Sequence, residues 1–210
     1  MEKDRNTPRW RNTIPRFVWA IVIVFTLILA GGITYGVRHA RDHAARPAQQ
    51  LVTITFDASF IRQVKLTPKQ FAKLSHTMLS VKTKKSYPTK NGAVIMEVTP
   101  AQRTRMIRNG KEFLSTVSAP FLNDNPKYHY KVSPDYKRID IWMDETASME
   151  AYLAITDGVP NVYGFLYYIT GHTGPWDMTT TIYNCNTGKR KLTFSYWKQP
   201  RITWPLKILK

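Results

Sequence analysis

The chain has 210 residues, with 31 Lys or Arg against 14 Asp or Glu, a formal charge of +17 and a single cysteine. One cysteine excludes an internal disulfide framework, and the basic excess points to polyanionic partners. Nucleic acid is not expected among them, because no helix-turn-helix, zinc-finger or RNA-binding-sheet signature is present.

Residues 17–37 carry no charge, and twelve of these 21 are Phe, Val, Ile or Leu. At ~1.5 Å per residue they make a rod of about 31 Å, close to the ~30 Å hydrocarbon core of a bilayer. One N-terminal transmembrane helix is therefore expected, with the lipid bilayer as a partner. A cleaved signal peptide has a shorter apolar run ending in a small-x-small site. Here Ile28 stands three positions before the best such end, so the anchor is expected to stay. Lys3, Arg5, Arg9, Arg11 and Arg16 precede the run, and Arg38, Arg41 and Arg46 follow it. That asymmetry makes residues 1–16 a cytoplasmic basic tail and puts everything after residue 37 outside the cell, in a single-pass protein of the cell membrane. Cys185 then reads as a small buried apolar residue.

Residues 38–50 form a polar juxtamembrane linker. His39 and His43 have the i, i+4 spacing of a metal pair but no further ligands. An extracytoplasmic domain is expected over residues 51–197. It opens with alternation over 50–56 that predicts a strand, then a short turn. Thr67-Pro68-Lys69-Gln70 has the grammar of a helix start: Thr67 caps, Pro68 fits the first helical position, and Gln70 reaches back to the Thr67 amide. A helix over about 68–79 follows.

Residues 82–92 are charged and turn-rich and read as a loop, and 93–99 read as a second strand. Thr99-Pro100-Ala101-Gln102 repeats the helix start. The stripe of Met106, Ile107, Phe113, Leu114 and Val117 predicts a helix ending near Pro120. Strands over 127–133 and 138–144, separated by Pro-Asp-Tyr-Lys, predict a hairpin. Two short helices are expected at about 147–155 and 161–170, broken by Asp-Gly-Val-Pro-Asn. A last hairpin is expected over 178–185 and 189–197 around Asn186-Thr187-Gly188. This order predicts an α+β fold: a mainly antiparallel sheet of about six strands with helices on one face.

In the segments "VTITFDASF", "AVIMEVTPAQ", "RIDIWMDE", "NVYGFLYYITG" and "NTGK", taken in this order from Val52 to Tyr196, the chain resembles small membrane-attached or secreted extracytoplasmic domains of unknown function from Gram-positive bacteria. The resemblance implies an envelope location and supplies no reaction or ligand. Lys90-Asn91-Gly92-Ala93, where such domains tend to carry an acidic residue, Gly and Ser, is a departure from it, as is the basic extension after Trp197.

His172 and Asp177, in the Gly- and Pro-punctuated stretch 170–177, are the best pair for general-base chemistry, with a loop His and a turn-capping Asp as the structural alternative. Ser195 and Lys198 have Ser-x-x-Lys spacing, but on a strand residues three apart face opposite ways. No phosphate loop, nucleophile elbow, zinc-protease motif or calcium loop is present, so neither a cofactor nor a metal is expected. Residues 198–210 form a basic aromatic tail. There Lys198, Arg201, Trp204, Lys207 and Lys210 are the candidate contacts to a polyanion or membrane surface, with an added edge strand as the other reading. The expectation is a non-catalytic binding module of the envelope, facing an anionic polymer, lipid headgroups or a membrane protein partner. The alternatives are an envelope hydrolase or transferase using His172 and Asp177, or a subunit of a membrane assembly.

Overall fold

The computed structural model describes residues 50–198 and 206–210. The basic tail 1–16, the expected membrane helix 17–37, the linker up to residue 49 with His39 and His43, and Arg201 and Trp204 lie outside the described residues. No helix among the described residues is long and apolar enough to cross a membrane.

The fold is α+β. Strand β1 (Val52–Phe56) runs into a short helix α1 (Ala58–Gln63), then α2 (Pro68–Ser75) and a 3-10 turn at Met78–Ser80. Strands β2 (Lys85–Pro88) and β3 (Val94–Val98) precede the long helix α3 (Pro100–Leu122). Next come β4 (His129–Val132) and β5 (Arg138–Met143). Helix α4 (Met149–Leu153), a π turn (Ala154–Gly158) and α5 (Val159–Ile169) lead to the final strands β6 (Thr179–Asn184) and β7 (Arg190–Ser195).

Instead of one sheet of about six strands there are two, ordered β1-β3-β2 and β4-β5-β6-β7. The reason lies in β2. Its Lys-Ser-Tyr-Pro sequence reads as loop, yet it pairs antiparallel with β3, from Lys85 against Glu97 to Pro88 against Val94. With β1 on its other side, β3 is the central strand of a complete three-stranded sheet, and the chain leaving α3 forms a second one. That sheet is antiparallel except between β5 and β6, which run parallel from Arg138/Thr179 to Met143/Asn184. Parallel neighbours need a crossover of a dozen or more residues, and α4, the π turn and α5 supply it.

Both helix starts form complete capping boxes. Thr67 Oγ1 accepts from the Gln70 amide at 3.3 Å while the Thr67 amide donates to Gln70 Oε1 at 2.9 Å. At α3 the matching distances are 3.2 and 2.7 Å. Helix α2 ends at Ser75, sooner than expected: Thr77, with φ −122° and ψ 18°, leaves the helical region, and Leu79 and Ser80, with φ of 52° and 57°, keep the chain from re-entering it. Leu79 is buried nonetheless. Helix α3 runs past Pro120 to Leu122, the missing amide falling in its last turn. Asp-Gly-Val-Pro-Asn does not break the chain into two helices. The Val159 amide reaches back to Ala154 O, widening one turn, so that Pro160 opens α5 without colliding with the preceding one.

The two sheets and the helices share one core. Trp176, 1% exposed, meets Phe60 edge-on at 5.8 Å and donates its indole N–H to Tyr136 O at 2.8 Å. Gly164 makes room for it: a Cβ there would stand 2.8 Å from Phe60 Cε2 and 3.0 Å from Trp176 Cζ3.

Thr99→Ala removes the acceptor that starts α3 and is expected to lower unfolding free energy by about 1 kcal/mol, read as a lower denaturant midpoint at unchanged slope. An unchanged midpoint contradicts the cap.

Candidate functional site

His172 and Asp177 belong to different parts of the fold. His172 lies beyond the end of α5, where its Nδ1 is 3.1 Å from both Thr170 Oγ1 and Tyr167 O and its ring stacks on Tyr167 at 4.8 Å. Asp177 leads into β6; its Oδ1 accepts from the Met178 amide at 2.8 Å and its Oδ2 from the Ser195 hydroxyl at 2.6 Å. Each is bonded elsewhere, and Ser195 is bonded to Asp177 instead of joining Lys198. His76 bonds Thr83 Oγ1 through Nδ1 at 3.0 Å, and the His129 ring stacks on Trp142 at 4.6 Å. Among the described residues no group of three His, Cys, Asp or Glu could hold a metal ion.

The densest polar cluster surrounds Asp144, which is 5% exposed at the end of β5. Its Oδ1 accepts from Tyr128 Oη at 2.8 Å, the Thr146 amide at 2.9 Å and Thr146 Oγ1 at 2.6 Å. Its Oδ2 accepts from Asn186 Nδ2 at 2.9 Å and Cys185 Sγ at 3.4 Å. Burial alone would raise this carboxyl, but the hydrogen bonds from Thr146, Tyr128 and Cys185 outweigh it and hold it at about 2. Burial first, and then the neighbouring carboxylate, push the Cys185 thiol up to about 11, and burial above all pushes the Tyr128 hydroxyl up to about 12. With its lone pairs committed and its neighbours held protonated, Asp144 is a structural tie joining β4, β5 and the β6–β7 turn. Cys185 is half-buried and not a ready nucleophile.

The arrangement best suited to a ligand lies between α2 and the edge strand β2. Lys69, Lys73 and His76 stand at i, i+4 and i+7 on α2, facing Lys85, Ser86 and Tyr87 across a groove of about 650 Å³. Ser75 Oγ and Ser86 Oγ, 2.5 Å apart, tie the two walls together. Lys69, Lys73 and Lys85 are exposed. The acid at the rim is Glu97, 3.9 Å from Lys85 Nζ and accepting from Tyr87 Oη at 3.2 Å. Lysines on a short edge strand also keep other strands from adding to it.

The C-terminal segment turns back onto the domain. Leu206 and Leu209 are fully buried, and Asn184 Nδ2 donates to Leu209 O at 2.7 Å. Lys191 Nζ reaches Lys210 O, while Lys198, Lys207 and the side of Lys210 remain in solvent. Leu206 and Leu209 are thus spent on the protein's own core, while Ile208 between them is 53% exposed. Sequence reasoning missed the α2 groove because β2 was read as loop. The i, i+4, i+7 spacing of Lys69, Lys73 and His76 was the signal that could have found it.

Compared with protein-family models, curated proteins and solved structures, the chain matches none.

Asp144 has a folded value of about 2, against about 3.9 for an unfolded aspartate, so its contribution is complete above pH ~4 and is lost as pH falls toward ~2. The expected outcome is that Asp144→Asn is less stable than wild type at pH 7 by about 1–3 kcal/mol, with the gap closing between pH ~4 and ~2. A gap that does not change with pH contradicts the assignment, and denaturant unfolding across that window reads it.

Proposed function

We propose that this chain is a membrane-anchored, extracytoplasmic, non-catalytic binding module of the cell envelope that engages a polyanion. The ligand is an anionic envelope polymer or a field of anionic lipid headgroups. The observation that carries the reading is the groove between α2 and β2, where Lys69, Lys73 and Lys85 line both walls of one depression. From residue 47 onward 23 Lys or Arg stand against 11 Asp or Glu, and this excess of +12 supplies the long-range attraction that brings such a ligand in.

The chemistry of the groove fits a polymer better than a single anion. Ammonium groups on flexible stems act as point charges, whereas one oriented phosphate or carboxylate is best gripped by the planar fork of arginine. Several exposed point charges along two walls suit a ligand that brings its own series of charges and can slide among them. The resemblance to envelope domains and the apolar run over residues 17–37 support the location.

Full-length protein held in nanodiscs of zwitterionic lipid tests this with fluorescent polyphosphate in solution and, separately, with vesicles of anionic phospholipid. Lys69→Gln with Lys73→Gln is expected to weaken binding about thirtyfold at low salt, from ~1 kcal/mol per basic residue. The loss should shrink as salt rises, because screening removes the same term. Weakening toward polyphosphate alone assigns the site to a polymer, and weakening toward vesicles alone assigns it to headgroups. Binding by both probes that neither the substitutions nor salt alters contradicts the proposal.

A further inference from the structure

A second depression, which shares no lining residue with the lysine groove, has a different character. Lys111, Leu114, Ser115, Ser118 and Leu122 fall on one face of α3 and line a trough of about 480 Å³. The eleven-residue spacing from Lys111 to Leu122 makes it about 16 Å long at ~1.5 Å per residue. The opposite wall is aromatic. Tyr130 stands on β4, Tyr136 in the β4–β5 turn, and Tyr163 on α5.

That wall is held in place at a conformational cost. Tyr136 has φ of 57°, a left-handed conformation unfavourable for a residue with a bulky side chain. The Trp176 indole N–H on its carbonyl fixes it there, and its ring stacks on Tyr163 with centroids 5.5 Å apart. Burial, and then the neighbouring Tyr130 and Tyr136, push the Tyr163 hydroxyl above its ordinary value, so Tyr163 carries no negative charge.

The polar groups on the α3 side are already committed, with one exception. Ser115 Oγ donates to Glu112 O at 2.6 Å, and Ser118 Oγ points to Ser115 O at 3.5 Å, so both hydroxyl hydrogens are turned back to the helix. Glu112, the acid next to Lys111 in sequence, is turned to Arg108 at 3.7 Å. Among the described residues Lys111 has no carboxylate partner within 4.0 Å. On the α3 wall a polyhydroxylated ligand would find few hydrogen bonds left to make, and with only the tyrosine hydroxyls opposite it would bury its other donors and acceptors unpaired, which is unfavourable. A hydrocarbon chain asks for none. At the far end Leu122 is 41% exposed, an apolar side chain without cover.

We propose that this trough holds one single-chain anionic amphiphile, a free fatty acid, with its chain along Leu114, Ser118 and Leu122 under the tyrosine wall and its carboxylate on Lys111. Lys111 at one end and the uncovered leucine at the other set the direction of the chain. The site is independent of the lysine groove, and it stands or falls separately.

The test uses the full-length protein in zwitterionic nanodiscs, a palmitate carrying a diazirine at mid-chain, and peptide mapping after photolysis. Label is expected on the peptides containing Leu114, Ser118 and Leu122, and on those containing Tyr130 or Tyr163. Ser115→Trp, which places a large ring over the trough from an exposed position, and Lys111→Glu are each expected to cut that labelling about tenfold. Leu122→Arg, at a surface position, is a second block that leaves the core untouched. Excess laurate should displace the probe and dodecyl alcohol should not. Labelling unaffected by Ser115→Trp and Leu122→Arg overturns the site. Equal displacement by laurate and the alcohol overturns the role of Lys111, and preferential labelling by a two-chain diazirine phospholipid overturns the single-chain ligand.

Discussion

The rest of the structure depends on the close approach of Trp176 to Gly164. The indole fills the space that a side chain on α5 would occupy, with a hypothetical Gly164 Cβ only 3.0 Å from its ring. From there it meets Phe60, which carries the packing of α1 and, through Phe56 at 6.4 Å, of the first sheet. It also meets Trp197 and Tyr196, which follow the last strand, at 5.6 and 5.7 Å. Its N–H holds the turn between β4 and β5. Two sheets that share no strand pairing thus meet in one core, and Trp176, admitted by Gly164, touches elements that belong to both. Interiors at this density pass on small changes of volume instead of absorbing them.

Local punctuation was the most legible part of the sequence. Thr-Pro-x-Gln occurs twice and starts a helix both times, because the cap, the proline and the glutamine act within four residues and ask nothing of the rest of the chain. The last hairpin was legible around Asn186-Thr187-Gly188 for the same reason, since Gly188 has φ of 68°. What escaped depends on partners far away in sequence. Strand β2 is four polar or turn-forming residues whose strand character exists only through β3. The parallel pairing of β5 with β6 is a property of topology, and neither strand alone announces it. The π turn has no signature beyond Gly158 and Pro160, and these read equally well as a break.

Charge was legible in sum and not in place. The basic excess is visible in composition, but composition does not say which lysines share a wall, and Lys85 joins Lys69 and Lys73 only once β2 is recognised. Asp144 looked like the end of a strand. Its five hydrogen-bond donors come from residues 128, 146, 185 and 186, a set that only the fold assembles. His172 and Asp177, five positions apart, sit past the end of a helix and just before a strand, His172 held by Tyr167 O of that helix and Asp177 by Ser195 of the neighbouring strand β7. Proximity in sequence across a Gly- and Pro-rich turn is a poor guide to proximity of side chains. The two depressions differ in their rims, one carrying three lysines on its two walls and the other a row of tyrosines with Lys111 at one end.

If one aromatic tie joins both sheets, disturbing it must loosen both together. Hydrogen exchange of the amides of β3 and β5 in Gly164→Ala measures this most directly, since the added methyl has to push on Phe60 and Trp176, at a typical cost of about 1–3 kcal/mol. The account predicts that protection falls in both strands by the same free energy. Protection lost in one strand while the other keeps its wild-type rate would contradict it.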